Sequence, residues 1–539
     1  MADGRSEGAA TMSLPHRSLR TFSTMTEREV DVCIIGCGAA GAVLAKECAE
    51  GGLSVIAFDE GPRYDPFRDF RNDELYAMKI FDRARIVLDG NDPIKIFMVK
   101  AVGGGTVHYS AISLRFHESD FRVRSLDGVA EDWPITYKDL EPYYDKVERT
   151  LGVAGSNTNP FDVPRGPYPL PPHELNTNSQ VIARGARRLG LHPVPAPLAI
   201  LSRPYDGRFP CNQCGFCFEG CQMTAKSSTD LVYVPKAEAH GAVIRPRCKG
   251  LRLEVNKRGL VEAFIYIDER GREQRQKAKL FIVACNAVNT PRLLLNSTSN
   301  LFPQGLANSS GLVGKYFMHN TVAAVFGRFE QKINSYKGLP QGLIIQDFYE
   351  TDHRRGFVRG YTMETFYAGP ITLANGFMGH VWGDDLMDFM RGYAYYAALF
   401  LSGEDLPNEK NTVTLDPELK DEHGMPLPRV TYSYGENEIK LRAHSIQMAE
   451  DIMRAAGAVK TIGSPARGTA HLMGTCRMGT DPSRSVVNPF CQSHDVKNLF
   501  ICDGSVFVTS TGGNPTLTIQ ALATRTADYI VHEKANLLT

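Results

Sequence analysis

The chain has no excess of charge of either sign: 60 lysines and arginines stand against 60 aspartates and glutamates. A protein whose main partner is nucleic acid or an anionic membrane surface carries a basic excess, so the balance argues against both. Long apolar runs are missing as well. A bilayer-spanning helix needs about 18 consecutive apolar residues. The longest candidate, Tyr393 to Leu401, is half that length and reads as a buried strand. No transmembrane segment is expected. Residues 1–27 are polar and lack the apolar core of a secretory signal. They read as a tail, or as sequence ahead of an alternative start at Met25. Without an export signal of its own, the chain is expected in the cytoplasm, or in the periplasm if a partner carries it there. Apolar content of 43% and charged content of 22% suit a globular chain with a real core. Its 539 residues predict two or three domains.

Cysteine is present, but not as a disulfide framework. Eight of the 12 cysteines are scattered, several within apolar strand-like runs, which points to a reducing compartment. The other four are crowded into Cys211 to Cys221.

The most informative stretch lies near the start. Val30 to Ile35 is an apolar strand that runs into Gly36-Cys37-Gly38-Ala39-Ala40-Gly41 and a small-residue helix to about Glu50. A second strand, Leu53 to Phe58, ends at Asp59. This is a βαβ unit with dinucleotide-binding glycine spacing. Gly36 permits the tight turn, Gly38 lets backbone approach a pyrophosphate, and Gly41 lets the helix lie close to the strand. Asp59, 18 residues after Gly41, can accept both ribose hydroxyls. A purely structural glycine turn is the alternative, and the coincidence of strand, helix, strand and acid argues against it.

Four further segments carry a resemblance. "AVGGGTVHYSA" (101–111), "FIVACNAVNTPRLLLNS" (281–297), "HLMGTCRMG" (471–479) and "LFICDGSVFVTSTGGNPTLTIQALATRTA" (499–527) resemble the signatures of the glucose–methanol–choline (GMC) flavin oxidoreductases, in that family's order. The resemblance implies FAD as the nucleotide. Fold class is then α/β, α+β overall: a Rossmann-like FAD-binding domain with a β-meander, plus a substrate domain on an antiparallel sheet. The expected FAD-binding domain is discontinuous, at 28–115, 205–309 and 461–539, with 116–204 and 310–460 as substrate or cap domain.

Alcohol oxidation by hydride transfer needs a base for the hydroxyl proton and a neutral polar group to hold the oxygen. Imidazole, titrating near 6.5, suits the first role and an amide the second. The resemblance places this pair at His471 and Asn514, and Asp503 at the phosphate and ribityl side of the flavin. It also places Gly103, Gly104 and Gly105 against the isoalloxazine. "VGGGTVH" resembles the variant in which a histidine bonds covalently to the flavin, so His108 contacts the ring, either through a bond or by packing.

Cys211, Cys214, Cys217 and Cys221 follow C-x2-C-x2-C-x3-C, the spacing of ferredoxin cluster loops. Structural zinc usually takes two pairs with a longer spacer, and a chain of this size has no need of adjacent disulfides. An iron–sulfur cluster, [3Fe–4S] or [4Fe–4S], is the favoured reading. Within the resembled family such a loop marks a subgroup of bacterial sugar dehydrogenases. It implies a sugar, glycoside or polyol substrate, one-electron exit to a cytochrome c or other acceptor, and a small export subunit as partner. An O2-using oxidase, a lyase using FAD only structurally, and a non-catalytic subunit are the alternatives.

Overall fold

Val32, Cys33 and Ile34 are fully buried within Val30–Ile35, the pattern of a strand covered on both faces. This strand, β1, ends at Gly36, whose φ of +95° is a conformation open to glycine without strain. The chain turns there into helix α1, Gly41–Glu50. β2, Val55–Phe58, lies parallel beside β1 and completes the expected βαβ unit. The computed structural model describes residues 28–76, 85–376, 378, 381–465 and 468–538; the tail at 1–27 lies outside them.

β3, Val243–Arg245, extends the sheet beyond β2. β4 (Lys249–Val255), β5 (Val261–Ile267) and the first half of β6 (Glu273–Val283) form the expected antiparallel meander. From Ala278 onward β6 changes partner and runs parallel to β1. One strand therefore serves both the meander and the parallel sheet.

The second sheet is antiparallel. It contains β7 (Thr321–Arg328), β8 (Leu343–Ile345), β9 (Tyr361–Thr365), β10 (Tyr396–Gly403) and β11 (Lys460–Ser464). Their order is β11–β7–β10–β9–β8, with the short strand Val194–Pro195 at the far edge. The apolar run at 393–401 enters β10 only at Tyr396; its first three residues form a 3-10 turn. Ala323, Val325, Met363, Leu399 and Leu401 pack against Ile182, Leu441, Ile452 and Met453 of the helices Thr177–Arg188 and Glu436–Ala456. Side chains alternate along a strand, and Ala324, Phe400 and Glu364 are aligned cross-strand neighbours. Glu364 thus points to the opposite face, away from those helices.

β12, Leu499–Ile501, returns to the first sheet beside β6 and delivers the chain to Asp503. The helix Thr516–His532 that follows packs on α1 and on helix Tyr137–Leu151, where the Tyr144 hydroxyl meets Thr518 Oγ1 at 2.7 Å. No helix of the described residues is long and apolar enough to cross a membrane.

Candidate functional site

Two glycine turns meet back to back. Gly103 N–H donates to Cys37 O at 2.8 Å, and a Cβ on Gly104 would stand 2.8 Å from Gly38 Cα. A Cβ on Gly41 would lie 1.8 Å from Gly36 O, so helix α1 starts hard against its own turn. No side chain caps α1; Ala42 N–H donates to Gly38 O at 3.2 Å, and the positive dipole end of the helix is left for an anion. Gly105 is different: it is exposed, and a Cβ there would meet nothing within 4 Å. Open space borders the loop at that point, as a flat ring pressed on backbone requires.

Asp59 and Asp503 flank this cradle. Asp59 is buried and accepts from the backbone N–H of Cys37 at 3.0 Å and of Gly61 at 2.8 Å. Burial pushes its carboxyl up to about 7, with the two backbone bonds pulling the other way. Asp503 accepts from Asn286 N, Ser505 N and Thr290 Oγ1 at 3.0, 2.7 and 2.5 Å. Burial raises its carboxyl too, and those bonds lower it. Uncapped helix N–H groups, close-approach glycines and polar carboxyls together suit a dinucleotide such as FAD.

His471 and Asn514 arrive from different segments, and Asn320 links them. Asn320 Nδ2 donates to Gly403 O and to Thr511 O, three residues before Asn514. Its Oδ1 therefore remains as acceptor, 2.6 Å from His471 Nδ1. His471 must carry its proton on Nδ1, which leaves a lone pair on Nε2. Burial pushes the imidazole down to about 4, so it is neutral at physiological pH. Asn514 is held by its own loop: Trp133 Nε1 donates to Thr509 Oγ1 at 2.7 Å, and Thr362 N, in β9, donates to Gly512 O at 2.9 Å. The substrate-domain sheet thus fixes the loop. Asn514 Oδ1 is buried without a hydrogen-bond partner.

His108 is buried, and its Nδ1 lies 2.8 Å from Phe218 O. This joins the glycine loop to the cysteine loop. Lys226 reinforces the junction. Fully buried, its Nζ donates to Val107 O at 2.7 Å, Tyr109 O at 3.2 Å and Cys217 O at 2.5 Å. Burial pushes His108 down to about 3, aided by the Lys226 charge.

The expected iron–sulfur site is not formed by this geometry. Among the described residues no three or more His, Cys, Asp or Glu side chains are placed to hold a metal ion. The four thiols range from buried Cys217 to exposed Cys214, with Cys211 and Cys221 between them, and none is in a disulfide. Burial pushes the Cys211 thiol up to about 11 and the Cys217 thiol well above the ordinary value. Backbone N–H groups of Gln213 and Lys226 donate to Cys211 Sγ at 3.2 Å and Cys221 Sγ at 3.4 Å.

Sequence reasoning missed Asn320 and Lys226: no motif marks either, since their contacts depend on how the sheets and loops assemble.

Two family models match the chain, both described as GMC oxidoreductase, an N-terminal one over residues 30–318 and a C-terminal one over 407–523. The chain is 35% identical to 2-methyl-1,2-propanediol dehydrogenase of Mycolicibacterium austroafricanum, covering 94% of this chain and 96% of that protein. It is 31% identical to the fructose dehydrogenase large subunit of Gluconobacter japonicus, with 93% and 98% covered. Identity is 33% to 6'''-hydroxyparomomycin C oxidase of Streptomyces lividus, with 94% and 92% covered.

Proposed function

The chain belongs to the GMC oxidoreductase family, an FAD-dependent oxidoreductase acting on CH–OH donors, and from that premise we propose that it is a dehydrogenase of a polyol, sugar or glycoside. The carrying observation is the Asn320 bond to His471 Nδ1, which leaves Nε2 as a base. FAD, when bound in the cradle of Gly36, Gly38, Gly41, Asp59, Gly103 to Gly105 and Asp503, supplies the acceptor for the carbinol hydride. His471 Nε2 takes the hydroxyl proton. Because the imidazole starts neutral, its protonation places a positive charge beside the oxygen as the C=O bond forms. The amide of Asn514 holds that oxygen without gaining or losing a proton.

Two relatives are dehydrogenases of a diol and a sugar, and one is an oxidase, so vicinal hydroxyls are the favoured substrate chemistry. Anaerobic addition of such alcohols to the FAD-loaded protein tests the reading. Loss of the oxidised-flavin band with slow return in air is expected. Fast return in air instead makes the protein an oxidase, and product formation with no loss of the band makes it a lyase.

The finer reading, an iron–sulfur cluster in the 210–222 loop passing single electrons to a cytochrome c or similar acceptor, is supported by the cysteine spacing and by the two amide-to-sulfur bonds. The present placement of the thiols does not support it, and no step above depends on it. Iron and acid-labile sulfide measured per chain after anaerobic purification decide: both near zero removes the cluster and leaves the flavin chemistry intact. A small partner subunit is proposed on the same footing, since one relative is itself a large subunit. Co-purification from the native host tests it.

A further inference from the structure

The segment ahead of Asn514 is clamped from two sides, by groups for which the chemistry above has no use. Thr509 Oγ1 donates to Asp120 O at 3.2 Å, and Thr511 Oγ1 donates to Asp120 Oδ2 at 3.1 Å. Ser510, between them, is held from the substrate-domain sheet. Its Oγ donates to Asp405 O at 2.9 Å and accepts from Asp405 N at 2.8 Å. Asp120 is itself fixed. Fully buried, it is ion-paired with Arg359, and its Oδ2 also accepts from His117 N at 2.7 Å and from the Tyr349 hydroxyl at 2.6 Å. That hydroxyl touches Thr511 Oγ1 as well. Arg359 Nε donates to Glu404 Oε2 at 2.7 Å, one residue before Asp405. A single buried guanidinium thus ties the two sides of the clamp together.

What the clamp places is a carbonyl. Thr511 O and Gly403 O both accept from Asn320 Nδ2, and a carbonyl oxygen can only accept. An asparagine amide turned by half a rotation exchanges its oxygen and its NH2. Asn320 would then offer NH2 to His471 Nδ1, and the imidazole hydrogen would move to Nε2, where a base needs its lone pair. Gly403 O lies in the paired strand β10. Thr511 O lies on a loop, so its position depends on what holds that loop.

We propose that Thr511, its hydroxyl held by Asp120 and Tyr349, is a positioning residue for the base. Its carbonyl selects the orientation of the Asn320 amide and, through it, the form of His471 that carries hydrogen on Nδ1. This deepens the reading of His471 as the base and rests on it. The relay runs from a buried carboxylate to the imidazole through Thr511 and Asn320, and every link in it is a hydrogen bond of the folded chain.

Valine at 511 keeps the branched shape and loses the hydroxyl; serine keeps the hydroxyl. Flavin reduction by 2-methyl-1,2-propanediol and by D-fructose is followed by stopped-flow absorbance in FAD-loaded wild type, Thr511→Val and Thr511→Ser. Thr511→Val is expected to lower the limiting rate about tenfold, with KM within about twofold and FAD content unchanged. Thr511→Ser should recover to within about threefold of wild type. The proposal is overturned by Thr511→Val at the wild-type rate, or by Thr511→Ser as slow as Thr511→Val.

A second readout needs no substrate. Nitrogen NMR of FAD-loaded protein labelled at its histidine rings reports which ring nitrogen carries hydrogen, and the signal missing from His471→Ala identifies His471. Wild type should show hydrogen on Nδ1 alone, and Thr511→Val a mixture with the Nε2 form. Hydrogen on Nδ1 alone in Thr511→Val overturns the proposal; hydrogen on Nε2 already in wild type overturns the base reading beneath it. If neither alcohol reduces wild-type flavin, the substrate reading fails and this arm still decides the role of Thr511.

Discussion

In its proposed role His471 needs Nε2 bare, and the hydrogen bond that leaves it bare comes from a residue 151 positions away. Replacing His471 by alanine is expected to slow flavin reduction by about 10²- to 10⁴-fold, the usual worth of a general base, with FAD content unchanged; stopped-flow absorbance measures it. Burial holds His471 down at about 4, so the acid limb of kcat/KM in the free enzyme should lie well below the ordinary histidine value of about 6.5. Asn320→Asp places a carboxylate against Nδ1 and favours the imidazolium. That limb should then move up by about one pH unit or more, and an unmoved limb would show that Asn320 does not contact the catalytic base. His471 and Asn514 were proposed from contiguous motifs, and the structure links the segments that carry them through Asn320. Asn320 itself was not, since it meets His471 from the residue before β7, 151 positions away in the chain.

Elements differ in how much their glycines matter. Gly41 cannot carry a side chain, because a Cβ would lie 1.8 Å from Gly36 O, whereas a Cβ on Gly38 would sit 3.6 Å from Gly104 Cα, an ordinary contact. Gly41→Ala should therefore lose about 2 kcal/mol or more of stability through backbone displacement. Gly38→Ala should fold normally and bind FAD more weakly. Thermal unfolding with and without added FAD separates the two, since a ligand bound only by the folded state raises Tm. Equal loss in both variants would contradict this division of roles. The βαβ unit and the meander could be read directly, from glycine spacing and from Asn-Lys-Arg-Gly and Asp-Glu-Arg-Gly turns. What could not be read was that β6 pairs antiparallel with the meander and parallel with β1 inside one seven-stranded sheet, or that helix Tyr137–Leu151, assigned by position to the substrate side, packs against Thr516–His532. Both depend on long-range pairing that local pattern does not encode.

On the scale of the molecule, the two sheets divide the labour. The parallel sheet presents the dinucleotide cradle, and the antiparallel sheet supplies the groups that orient His471 and Asn514. His108 and Lys226 tie the glycine loop to the cysteine loop. The cysteine spacing was the plainest signal in the sequence, yet spacing alone does not place four sulfurs around one centre. The fold and the glycine turns of the cradle were accessible from local pattern; the support of the proposed catalytic pair required the assembled sheets. The most direct measurement is anaerobic single-turnover mixing of FAD-loaded protein with 2-methyl-1,2-propanediol carrying hydrogen or deuterium on its CH2OH carbon. The account predicts that the oxidised-flavin band disappears, more slowly with deuterium, and that His471→Ala abolishes the reaction on the same timescale. Product appearing while the band persists, or equal rates with hydrogen and deuterium together with an unaffected His471→Ala variant, would contradict it.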